Sequence, residues 1–157
     1  MPDDLYERDI LIWSEHQAEL LRRMANGERL NTVDWPNVIG EIADVGASEL
    51  NAVRGHLRQA MSHLLRLHLA PDDLARDHWH TGLEALRDNA ADRFSPSMRQ
   101  RIDLDAISAK ARTRATRRAP AQPLLLASPW TLDDLLAGDT AALLAALPDS
   151  PSRASPA

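Results

Sequence analysis

The chain has 157 residues, a length at which about 70% of the unfolded surface can be buried around one core. It has no cysteine, which excludes disulfides, thiolate nucleophiles, iron-sulfur clusters and every cysteine-bearing zinc site, so a metal would have to use histidine and carboxylate. The net charge of −5 divides into −7 over residues 1–50, zero over 51–98, +5 over 99–127 and −3 over 128–157, a layout that can neutralise itself within one fold.

Alanine and leucine dominate, with 25 and 24 residues, and aromatics make up only 4%, so the composition predicts an all-α fold. In chain order, Asp3 or Asp4 is expected to cap a first helix with Tyr6, Ile10, Trp13, Leu20, Leu21 and Met24 inward, stopped by Asn26-Gly27. Asp34 caps a second helix, with Pro36 in its first turn and a stripe of Trp35, Val38, Ile39, Ile42 and Val45, ending at Gly46. Ser48 caps a third, whose seam is Leu50, Val53, Leu57, Met61, Leu64 and His68 and which ends at Ala70-Pro71. Asp72 or Asp73 starts a fourth, with Ala75, Trp79, Leu83, Leu86, Ala90 and Phe94 inward.

Ser95-Pro96 restarts the chain into a fifth helix with Met98, Ile102, Ala106 and Ala109 inward. Its last turns carry cations that oppose the negative helix end. Thr131 and Asp134 form a capping-box-like start for a short helix, and Asp139 caps another that runs through Leu147. These elements predict an antiparallel bundle of about five main helices plus one or two short C-terminal ones, a single domain over residues 1–147. Residues 148–157 form a Ser/Pro/Ala tail that is expected to be disordered. No basic-then-apolar leader opens the sequence and no apolar run approaches the ~20 residues of a membrane helix. A soluble cytoplasmic protein without a membrane role is the expectation.

An ordered set of residues carries a family resemblance. Tyr6-Glu7 through Asp9 and Trp13, Gln17 to Leu21, Val38-Ile39-Gly40-Glu41-Ile42, Gly46-Ala47-Ser48-Glu49, His63-Leu64-Leu65-Arg66-Leu67, Trp79 and Trp130 to Leu136 together resemble the bacterial domain-of-unknown-function family number 29, DUF29, from about Leu5 to Asp139. The resemblance implies a compact helical domain and brings no activity, substrate or cofactor. It marks Glu41, Gly46, Ser48, Glu49 and His63 as its recurrent polar positions. Arg66 and Leu67 stand where the family usually has a lysine and an aromatic residue, and residues 119–128 are leaner than usual.

Three chemistries can be weighed on these residues. Glu49, His56 and His63 recur every seven residues along one helix edge, but seven residues rise about 10.5 Å, so a metal or acid-base site centred on His63 with Glu41 or Glu49 needs help from another helix, which Glu41 gives if the second helix folds back beside the third. Arg58 and His63 are similar to the R-x4-H pattern of the HEPN ribonucleases, in which arginine holds the scissile phosphate and histidine moves a proton. Residues five apart nevertheless diverge by about 140° on a helix. His78 and His80 alternate as strand ligands do, a pattern that loses its meaning on a helix.

Lys110, Arg112, Arg114, Arg117 and Arg118 offer a nucleic-acid surface, but no aromatic interleaves with them for base stacking. With 17 of the 18 Lys and Arg residues being arginine, their abundance follows coding bias rather than phosphate recognition. The four tryptophans read as core anchors, and Leu5 with Ile12 as a secondary stripe for self-association. The balance favours a non-catalytic module that binds another protein or itself, with no cofactor and no metal. The HEPN-like nuclease of Arg58 and His63 and the metal-dependent activity of Glu41, Glu49 and His63 are the alternatives.

Overall fold

The computed structural model describes residues 5–116 and 127–148. Its elements are α1 (Leu5–Arg8), α2 (Ile10–Ala25), α3 (Trp35–Leu69), α4 (Arg76–Arg93), a 3-10 helix (Pro96–Arg101), α5 (Leu104–Ala115), α6 (Leu132–Ala137) and α7 (Thr140–Ala145), with no strand among the described residues. The fold is all-α, as composition predicts. Asp3, Asp4, Arg117, Arg118 and the tail from Asp149 lie outside the described residues.

Several boundaries differ from the sequence reading. The second and third helices are one 35-residue helix that passes through Gly46 and Ser48 without a turn. Glycine weakens a helix interior without forbidding it, and the apolar spacing on both sides continues unbroken across it. The first helix is instead interrupted: after the single turn of α1, the Asp9 carboxylate accepts from the Ile12 amide at 3.1 Å and starts α2. Neither Asp72 nor Asp73 caps α4. Asp73 accepts from the Ala75 amide at 2.8 Å in a local turn, and the helix begins behind Ala75 with no side-chain cap. Asp103 caps α5 through the Ala106 amide at 3.0 Å, so the inward residues become Ile107, Ser108, Ala111 and Ala115, while Ala106 and Ala109 are exposed.

Contacts divide the chain into two compact units, Met1–Ser48 and Glu49–Ala157. The first has a small core of Trp13, Leu20, Val33 and Val38, with Leu5, Tyr6, Leu21, Met24 and Leu30 around it. Tyr6 meets Trp13 edge to face at 4.8 Å. Asp34 ties the elements together: it accepts from Trp13 Nε1 at 3.1 Å and Asn37 Nδ2 at 2.8 Å, and its own amide donates to the buried Gln17 at 2.9 Å. Gly27, at φ 96°, supplies the left-handed residue that closes α2.

The second unit holds the larger core, centred on Val53, Leu57, Met61, Leu64, Leu83 and Leu135. Glu49 meets Arg93 and His63 meets the Trp79 carbonyl, so advancing along α3 retreats along α4 and the two helices are antiparallel. Arg54 meets the Arg101 carbonyl and Ser62 faces the Ala111 carbonyl, so α5 runs parallel to α3. The capping box of Thr131 and Asp134 and the Asp139 cap form as their spacing predicts. Trp130 is buried and donates to the Leu143 carbonyl at 2.8 Å.

Candidate functional site

The polar residues singled out by sequence have separate partners. Glu41 accepts from the Tyr6 hydroxyl at 2.5 Å, and that bond is the main reason the Tyr6 hydroxyl titrates above its ordinary value. Glu49 forms a two-oxygen ion pair with Arg93 at 2.9 and 3.0 Å. Arg58 lines a groove between α3 and α5. His63 turns to α4, where its Nδ1 lies 3.0 Å from the Trp79 carbonyl. The turn expected at Gly46 is not formed, because α3 continues through it.

His63 is therefore held as a packing histidine. A carbonyl can only accept, so Nδ1 carries the proton and Nε2 keeps its lone pair. Burial pushes the ring below the ordinary histidine value, opposed by the Trp79 bond and assisted by the positive fields of Arg66, His78 and Arg114. Arg66 covers the Trp79 ring at 5.9 Å. Gly82 lies against His63, where an added Cβ would stand 3.0 Å from Cε1. His78 is exposed with its ring 6.4 Å from that of His63. Among the described residues no three histidines, aspartates or glutamates converge as a metal cluster, and no helix is long and apolar enough to cross a membrane.

The most unusual surface is apolar. Trp35, Ile39, Ile42, Gly46, Leu50, Val53, Leu57, Ala60 and Leu64 follow one another at steps of three and four, a continuous seam along α3. From Val53 onward its members are buried, and Leu50 packs at their edge. Trp35, Ile39 and Ile42 are 45%, 62% and 69% exposed, with Val45 exposed beside them. The sequence reading expects that stripe to be internal, and it expects every tryptophan to anchor a core. Trp13 and Trp130 do so and Trp79 packs at the edge, but Trp35 does not. In this unit Val38 alone of the stripe faces the small core. Ile10 and Ile12 on α2 are also bare, whereas Leu5 packs inward, so the expected pairing of Leu5 with Ile12 on one surface is not formed.

A family profile described as "Domain of unknown function DUF29" matches residues 5–140. The chain belongs to the DUF29 family. Among solved structures, an α-helical protein of unknown function from Rhodospirillum rubrum, determined by crystallography at 1.45 Å, is 27% identical to this DUF29 chain. The TM-score is 0.69, and the match covers 89% of this chain and 95% of that one. No curated protein matches. Membership thus brings DUF29 a helical fold and no named chemistry. The sequence does not reveal the long-range pairings of this DUF29 chain, chiefly Tyr6 with Glu41, Arg93 with Glu49 and Arg87 with the end of α6. Tyr6, Glu41 and Glu49 stand out in the sequence, and Arg87 and Arg93 only by charge, but none of them carries an indication of its partner.

Proposed function

We propose that this protein is a non-catalytic, cytoplasmic protein-interaction module over residues 1–147, and that the bare seam of Trp35, Ile39 and Ile42 receives a basic amphipathic helix of another protein. The observation that carries the reading is exposure of large apolar side chains at i, i+4 and i+7 on one helix face, the register at which a partner helix inserts its own. Charge selects the occupant. Residues 1–50 sum to −7, so a second copy would set like charges against each other, whereas a lysine- or arginine-flanked apolar face is attracted.

Titration calorimetry with a synthetic leucine/lysine amphipathic peptide tests this. Saturable binding that weakens with salt and disappears in Ile39→Asp/Ile42→Asp is the expected result. Both side chains are exposed, so that double variant is expected to stay within about 1 kcal/mol of wild-type stability. Binding that survives the double variant contradicts the reading, as does a stable homodimer by sedimentation that the same substitutions break.

A further inference from the structure

We propose that the groove between α3 and α5 is a binding site for a compact phosphorylated small molecule, held through its phosphate by Arg54, Arg58 and Lys110. The groove, about 440 Å³ in volume, is of the size that small ligands occupy. Its α3 wall carries Asn51, Arg54, Gly55 and Arg58, and its α5 wall carries Asp103 and Lys110. Three cations face one carboxylate, and that carboxylate already accepts from the Ala106 amide as the cap of α5. Arg54 is anchored by the Arg101 carbonyl and by Asn51 Oδ1 at 3.4 Å, which holds its guanidinium at the wall.

Arg58 supplies the second, independent sign. Its Nε is enclosed and has no hydrogen-bond partner among the described residues. Arg58 lines the groove, and its outer guanidinium N–H groups can give an anionic oxygen there charge-assisted hydrogen bonds. Gly55 keeps the floor open between the two arginines, since a Cβ there would meet nothing within 4 Å. Among the described residues no aromatic side chain lines the groove, so they offer no platform for stacked bases and the groove recognises its ligand by negative charge.

Inorganic pyrophosphate, titrated calorimetrically into the full chain at constant ionic strength, is the probe. One-to-one saturable binding is expected, weakened about tenfold or more in Arg58→Gln, as loss of a charge-assisted hydrogen bond predicts. It is also expected to be lost in Gly55→Leu, which fills the floor. Leucine is the better helix former, so Gly55→Leu unfolds at or above the wild-type temperature and its loss of binding is not a loss of fold. The proposal is overturned if binding is absent, or if either variant retains wild-type affinity. A single-stranded RNA that binds more tightly than pyrophosphate and depends on Arg58 also overturns it, by assigning the groove to nucleic acid.

Discussion

His63 shows how a residue attractive for chemistry can be accounted for by packing. Its Nδ1 is committed to the Trp79 carbonyl and its ring abuts Gly82. Burial favours the neutral ring, so the folded pKa lies below the unfolded value of about 6.5. The stabilising contribution is therefore complete above that value and is lost as pH falls through the lower folded one. Urea midpoints for the wild type should drop between pH 7.5 and 5.5, and His63→Asn, which keeps a donor for the carbonyl, should reduce that drop. An identical decline in both proteins would remove His63 as its source. Arg87 is the opposite case, a residue with no motif around it. Its guanidinium donates to the Leu135 carbonyl at 2.7 Å, to Thr140 Oγ1 at 3.1 Å and to the Gly138 carbonyl. Arg87→Ala is expected to cost about 2 kcal/mol in chemical denaturation, and Arg87→Lys to recover little of it, because an ammonium cannot reach several fixed acceptors at once. Full recovery by lysine would mean that charge alone matters there.

Local signals were legible at the level of elements. Thr131 with Asp134, Asp139, and Asn26-Gly27 were readable because a cap or stop involves neighbours three or four residues away. Gly46 misled because glycine propensity is a weak prior, and the three-and-four seam that runs past it on both sides was the stronger evidence. Asp103 misled differently: the run from Met98 to Ala109 reads as one helix until the carboxylate is recognised as a cap that resets the register. Continuity of α3 has a direct consequence. Gly46→Ala places a helix former where a Cβ meets nothing within 4 Å, so it should stabilise the protein by about 1 kcal/mol and slightly raise helicity by circular dichroism. Destabilisation would mean that residue 46 needs the freedom of a turn.

Across the whole molecule, the helical class followed from composition, whereas the pairing of polar groups did not. Arg87 meets partners 48 and 53 residues away, and Glu49 meets Arg93 at a separation of 44, distances at which one sequence carries no pairing information. The charge totals were readable from the start, but their meaning required knowing that the acidic first third contains a bare apolar seam rather than a buried one. The apolar periodicity thus locates the seam residues while assigning them to the core. The carboxylates of Glu28, Asp34, Asp133 and Asp134 are held below their ordinary range, chiefly by Arg23, Asn37, Arg99 and Thr131 respectively. Their contribution is present above about pH 4 and lost as pH falls through the lowered values, so they should add a second downward shift of thermal unfolding in that acid window, below the one assigned to His63.

Trp35 reports most directly on the proposed docking seam, because it is half exposed and lies on the seam itself. Its fluorescence, followed while a lysine-flanked amphipathic helix is added, should move to shorter wavelength, and the change should vanish in Trp35→Phe. An unmoved emission maximum, or an equal shift with a glutamate-flanked peptide bearing the same apolar face, would contradict a docking surface selective for basic helices.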